Sequence, residues 1–162
     1  MVARTSWATW IGDCRSGPLA SGHRLKGADV ACRFTELIID CEDPRRLGDF
    51  WAKVLDYRES DAKFEGEHHY VELEGPQGSG PSLLLLRTPD KKTTKNRVHI
   101  DVNATDRDQD AEVERLEALG ATRVDIGQGQ QTWVVLADPE GNEFCVLRSR
   151  VEPHVQPQVE PH

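Results

Sequence analysis

His99 and Asp101 stand two residues apart in Asn96-Arg97-Val98-His99-Ile100-Asp101-Val102, a run whose later half alternates as a strand does. Positions i and i+2 of a strand share one face, so the imidazole and the carboxylate point the same way. Such a pair can hold a polar group of a bound molecule or orient a general base; equally, the carboxylate can simply satisfy the histidine within the fold. Glu36 opens an earlier run of the same kind, Glu36-Leu37-Ile38-Ile39, and supplies a second carboxylate. Carboxylate oxygen and neutral imidazole nitrogen are ordinary donors to zinc, nickel, iron or manganese. Cys145 lies four residues beyond Gly141 of the turn Asp138-Pro139-Glu140-Gly141-Asn142. A thiol there is a metal thiolate, a nucleophile, or a small hydrophobe filling the interior, and nothing nearby in sequence marks it as activated. His68 and His69 are adjacent and would face opposite ways on a strand, so at most one can join a site.

The elements that must position these groups emerge when the chain is slid against itself by about 63 positions. Glu36-Leu37-Ile38-Ile39 then falls on His99-Ile100-Asp101-Val102, His69-Tyr70-Val71-Glu72-Leu73 on Thr132-Trp133-Val134-Val135-Leu136, and Pro76-Gln77-Gly78 on Pro139-Glu140-Gly141. Two modules of one plan are implied. The first continues into a helix with Asp43 as N-cap, Pro44 at the first helical position and a stripe of Leu47, Phe50, Trp51, Val54 and Leu55. Phe50 and Trp51 therefore read as core. In the second module Asp106, Asp108 and Asp110 crowd the helix start, Val113, Leu116 and Leu119 form the stripe, and Gly120 ends it. Three strands are expected after each helix, at roughly 57–63, 68–74 and 82–88, then 121–126, 131–137 and 143–148. Each module reads β-α-β-β-β, an α+β plan.

The chain has 162 residues and a formal net charge of −8, room for a substantial core and a balance that disfavours nucleic acid or an anionic membrane as partner. Its longest aliphatic run, Leu83 to Leu86, is far short of the roughly 20 residues that cross a bilayer. Cys14, Cys32, Cys41 and Cys145 form no CxxC pair, which fits reduced thiols in the cytoplasm. Residues 1–33 are rich in Gly, Ser and Arg and lack both an apolar period and a secretory signal; a loosely ordered extension is expected, with Trp7, Trp10 and Ile11 able to dock on the body. Residues 150–162 end in a Pro-rich stretch expected to be extended, and His154 and His162 read as solvated.

Residues 34–149, with module one at about 34–88 and module two at about 97–148, resemble the glyoxalase-like domains of the vicinal oxygen chelate superfamily, a group that includes bleomycin-resistance proteins and extradiol dioxygenases. The resemblance rests on "DPRRLGDFWAKVLDY", "NRVHIDV" and "WVVLADPEGNEFCVL", in that order on a doubled plan. It implies a curved mixed sheet with a central hollow that holds a metal or a small ligand, often completed by a second subunit; the resemblance is thus compatible with a homodimer, which nothing in this sequence alone requires. Family enzymes commonly place metal ligands on the first and last strands of each module. Carried onto this chain, the first-strand positions are Glu36 and His99. The last strand of module one offers only leucine, and Cys145 stands where family enzymes often carry a glutamate.

Two, or at best three, ligands remain, against the three plus an open position that a catalytic metal usually needs. The reading that follows is a small-organic-molecule binder without a complete catalytic metal site. Leu84 and Leu86 form its apolar wall, Glu36, His99, Asp101 and Cys145 its polar one, and no cofactor is expected. The alternative is a metal-dependent lyase, isomerase or dioxygenase using a divalent ion on Glu36, His99 and Cys145. No catalytic residue is assigned.

Overall fold

The computed structural model describes residues 32–60, 69–76 and 79–153. The expectations for residues 1–31, for His68 and for His154 and His162 fall outside the described residues, as does the end, 61–63, of the strand expected at 57–63.

Strand β1 (Glu36–Cys41) runs into helix α1 (Pro44–Leu55) through the cap that the sequence anticipates. Asp43 Oδ1 accepts from the Arg45 and Arg46 backbone N–H groups at 3.1 and 3.2 Å, satisfying donors that the first helical turn leaves free. Glu140, from the second module's turn, adds two more acceptors at this end, to the N–H groups of Glu42 and Asp43. The helix stops where Asp56 turns left-handed at φ 55°. Leu47, Phe50 and Trp51 are buried on its inner face. Gly48 lets that face approach β3 closely, since a Cβ there would lie 2.9 Å from Val71 Cγ1.

Strands β2 (Arg58–Glu59), β3 (Tyr70–Glu74) and β4 (Ser82–Arg87) complete the first sheet in the order β1-β4-β3-β2, with β1 and β4 parallel and the other pairs antiparallel. The second module repeats this with β5 (Asp101–Asn103), α2 (Gln109–Ala118), β6 (Thr122–Arg123), β7 (Val134–Ala137) and β8 (Glu143–Leu147), ordered β5-β8-β7-β6. The α+β class and the two β-α-β-β-β modules stand. The expected curved sheet is resolved as two four-stranded mixed sheets, neither closed.

Helix α2 is capped by Asp108, whose Oδ1 accepts from the Ala111 N–H at 2.9 Å, and Gly120 ends it at φ 112°. Its burial includes Glu112, which sequence alone did not single out. Arg115 bonds both oxygens of that carboxylate and also reaches the Lys53 carbonyl at 3.2 Å, fastening α2 to α1.

One core serves both modules. Phe144, on β8, lies edge-on to Phe50 and Trp51 of α1 at centroid distances of 6.0 and 5.2 Å. Trp51 Nε1 donates to Asp138 Oδ2 at 3.2 Å, and Asp138 also accepts from the N–H groups of Glu140 and Asn142. Burial pushes the Asp138 carboxyl up against the opposing pull of those hydrogen bonds, from Asn142, Glu140 and Trp51. The "DPEGN" turn thus ties the modules together while it aims β8.

Candidate functional site

Alternation on β5 and β8 sorts each strand into a core side and an outer side. Phe144 and Val146 face the core, and Cys145 faces the other way with Glu143 and Leu147. Because β5 and β8 run in parallel register with Asp101 opposite Cys145, the outer face gathers Asp101, Cys145 and, two residues before Asp101, His99. One ligand-type atom from each of the three lies within 4.8 Å of the others. His99 Nε2 is 3.4 Å from Asp101 Oδ1, with both side chains more than two-fifths exposed. Cys145 is buried at 6% exposure and forms the floor.

Above this floor is a cavity of about 270 Å³ lined by Lys95, His99, Asp101, Ile126, Gln128, Trp133, Val135, Glu143, Cys145 and Leu147. Val135 joins it because β7 pairs Val135 with Cys145, and Trp133, two residues earlier, falls on the same side. Glu143 is held by Lys92 at 2.9 Å and by the Asn96 N–H at 3.0 Å. Burial works against its charge, but those two partners hold its carboxyl below the usual range. The Cys145 thiol is pushed up to about 11 by burial first, then by the charge and hydrogen bond of Asp101, with Lys95 pulling the other way. Without a metal it is a neutral thiol at physiological pH and a poor nucleophile.

Glu36 is not brought to this place. It begins β1 in the first sheet, exposed and paired with Ser82, and lies outside both the cavity lining and the three-donor cluster. Leu84 and Leu86 are also on the first sheet, opposite Ile38 and Asp40, and likewise do not line the cavity. The partner of His99 is Asp101 of its own run, as strand alternation anticipates. Of the sequence-derived residues, His99, Asp101 and Cys145 converge. Lys95, Ile126, Gln128, Trp133, Val135, Glu143 and Leu147 were missed. Glu143 and Leu147 could have been found by alternation from Cys145; Ile126 and Gln128 sit between β6 and β7 and carry no periodic signal.

A second cavity of about 360 Å³ lies between β1 and residues 90–100, with Ile38, Asp40, Val98, His99 and Glu143 on its walls. It has a larger volume but lacks the donor cluster.

The glyoxalase-like domain family model matches residues 36–147. No curated protein matches the chain. Among solved structures, a glyoxalase/bleomycin resistance protein/dioxygenase family enzyme from Burkholderia phytofirmans PsJN superposes with a TM-score of 0.56 at 16% identity, covering 71% of this chain and 97% of that one. The fosfomycin resistance protein FosX from Mesorhizobium loti gives 0.53 at 19% identity over 72% and 91%. A mutant FosX from Listeria monocytogenes, solved with manganese(II) and a dihydroxypropylphosphonic acid, gives 0.51 at 13% identity over 73% and 90%. At these identities the likeness is one of fold.

Proposed function

The chain belongs to the glyoxalase-like domain family, and from that premise we propose that it binds a small organic molecule in the cavity on the second sheet. The observation that carries this reading is the cavity's make-up: Ile126, Trp133, Val135 and Leu147 give an apolar wall, and His99, Asp101 and Cys145 converge at one end of it. Pockets of mostly apolar surface with a few converging polar groups suit small-molecule capture. At about 270 Å³ this one lies just below the ~300–1,000 Å³ usual for ligand sites, so its occupant is compact. Trp133, 37% exposed, offers a ring face for a planar or apolar part, and the His99–Asp101 pair offers a donor and an acceptor for a polar head. A thermal-shift screen of fragments, repeated on Trp133→Ala, tests the proposal. Fragments that stabilise the parent protein and lose their effect in the variant support it; a hit set indifferent to Trp133 refutes it.

The second reading, metal-dependent lyase, isomerase or dioxygenase chemistry, is favoured by the donor cluster. The donor set fits a divalent ion: imidazole nitrogen, carboxylate oxygen and thiolate sulfur, on the side that opens to the cavity. Asp101 takes the place the sequence had given to Glu36. A metal held there would supply Lewis acidity towards a carbonyl or hydroxyl. The chain's own part is to fix the three donors from two paired strands and to present Trp133 and Leu147 beside the open side. Asp101, as a ligand, would no longer be free to move a proton; Glu143, on the same face, is the remaining carboxylate and is engaged by Lys92.

A further inference from the structure

We infer that the His99–Asp101–Cys145 cluster selects a thiophilic divalent ion of the zinc type over manganese or magnesium. The inference rests on the second reading above and specifies which ion that site takes. Manganese and magnesium favour shells of carboxylate, carbonyl and water oxygens in octahedral array. Only one of the three donors here is a carboxylate. A thiolate with an imidazole and one carboxylate leaves one position of a tetrahedron open, the arrangement of catalytic zinc sites.

Burial orders the three donors. Cys145 is 6% exposed, whereas the side chains of His99 and Asp101 are 43% and 48% exposed. The sulfur would therefore be the deepest donor to an ion held there, with the imidazole and carboxylate donors at the more exposed rim beside the cavity. Two strands fix this geometry: Asp101 and Cys145 are cross-strand partners, and the Cys145 N–H bonds the Ile100 carbonyl at 2.9 Å between the two rim residues. Little is lost on binding, because the His99–Asp101 contact of 3.4 Å is loose and solvent-screened. The thiol proton leaves to solvent as the metal–sulfur bond forms. Lys95 is the opposing charge at the cavity, and its ammonium donates to the Asn96 carbonyl at 3.1 Å.

Among the described residues the first sheet carries no second copy of the site. Under the 63-residue repeat, Glu36 and Ile38 correspond to His99 and Asp101. The cross-strand partner of Ile38 is Leu84, as Cys145 is of Asp101. One donor remains there where the second sheet has three.

Divalent zinc tends to outbind manganese at most nitrogen, oxygen and sulfur sites, so a bare preference is not diagnostic. The informative measurement is how far Cys145 sets the ratio. Untagged full-length protein is titrated with zinc and with manganese against a chromophoric chelator, alongside Cys145→Ser and Cys145→Asp, and cobalt(II) is added as a spectroscopic stand-in. The expected result is one equivalent of zinc, a thiolate-to-cobalt charge-transfer band, and a zinc affinity about tenfold or more weaker in Cys145→Ser with manganese affinity changed by less than about threefold. Cys145→Asp should narrow the zinc-to-manganese ratio. Cobalt bound without the band, or equal losses for both ions in Cys145→Ser, overturns the selectivity while leaving a metal site standing. No binding of any of the three ions overturns the selectivity and the second reading together, and leaves the small-molecule proposal untouched. The cobalt band is read on the parent protein and does not depend on either variant folding.

Discussion

Asp101 and Cys145 are direct partners across the parallel strands β5 and β8, and the corresponding positions of the first sheet are Ile38 and Leu84. One repeat unit has therefore kept a face able to donate to a ligand or an ion, and the other has an apolar pair at the same place. A duplicated fold with one chemically equipped half predicts strongly unequal consequences for substitutions at equivalent positions.

His99→Ala should weaken ligand binding about tenfold, the order expected for loss of one hydrogen bond to a polar head. Glu36→Ala, at the equivalent position, should change it less than about twofold, because Glu36 lies outside the cavity lining. Calorimetric titration with any fragment that stabilises the parent protein checks both.

Trp133→Ala should weaken the same fragments about tenfold or more through lost ring contact while leaving folding stability within roughly 0.5 kcal/mol, since a partly exposed side chain contributes little to the core. Urea denaturation followed by circular dichroism reads the stability arm.

Cys145 and Cys41 should resist alkylation near neutrality. Burial first, aided by nearby carboxylates, raises the thiols to about 11 and about 12 from 9.0. At pH 8 the Cys145 thiolate is about one part in a thousand. The sign for stability follows: a pKa raised on folding favours the protonated folded state, so the contribution is complete below pH 9.0 and is lost as pH rises towards 11 and 12. Peptide-level mass spectrometry after iodoacetamide should find exposed Cys32 modified before Cys41 and Cys145. Rapid labelling of Cys145 at pH 7 would contradict the environment described.

Asp138→Ala should destabilise the fold by about 2–3 kcal/mol. It removes the acceptor of buried Trp51 Nε1 and of two backbone N–H groups in the turn that aims β8. Chemical denaturation measures the loss, and restoration by Asp138→Asn should be partial, since an amide keeps only one acceptor oxygen.

Much of this architecture was legible in the residues. The N-cap Asp43 with Pro44, the stripe of Leu47, Phe50 and Trp51, and Gly120 after α2 are local signals, and local physics decides helix ends. His99 and Asp101 were readable as a same-face pair from strand alternation alone, although β5 proper begins only at Asp101. Asp101 and Cys145 were placed on one polar wall through the family resemblance, but their direct cross-strand pairing was not readable, because it depends on the register of β5 against β8, set by packing across more than 40 residues of chain. For the same reason Glu36, Leu84 and Leu86 were grouped with His99 when they lie on a different sheet. Trp133 escaped notice because its side is fixed by the pairing of Val135 with Cys145.

The central claim is that small molecules bind over the floor made by His99, Asp101 and Cys145. It is tested most directly by amide and methyl chemical-shift mapping of the isotope-labelled protein against a fragment library. The account predicts that hits perturb Ile126, Trp133, Val135, Cys145 and Leu147 together, and that His99→Ala or Trp133→Ala weakens the pattern in line with about tenfold poorer binding. Hits that instead gather on Ile38, Asp40 and Val98 of the cleft between the modules, with Trp133 and Cys145 unmoved, would contradict it.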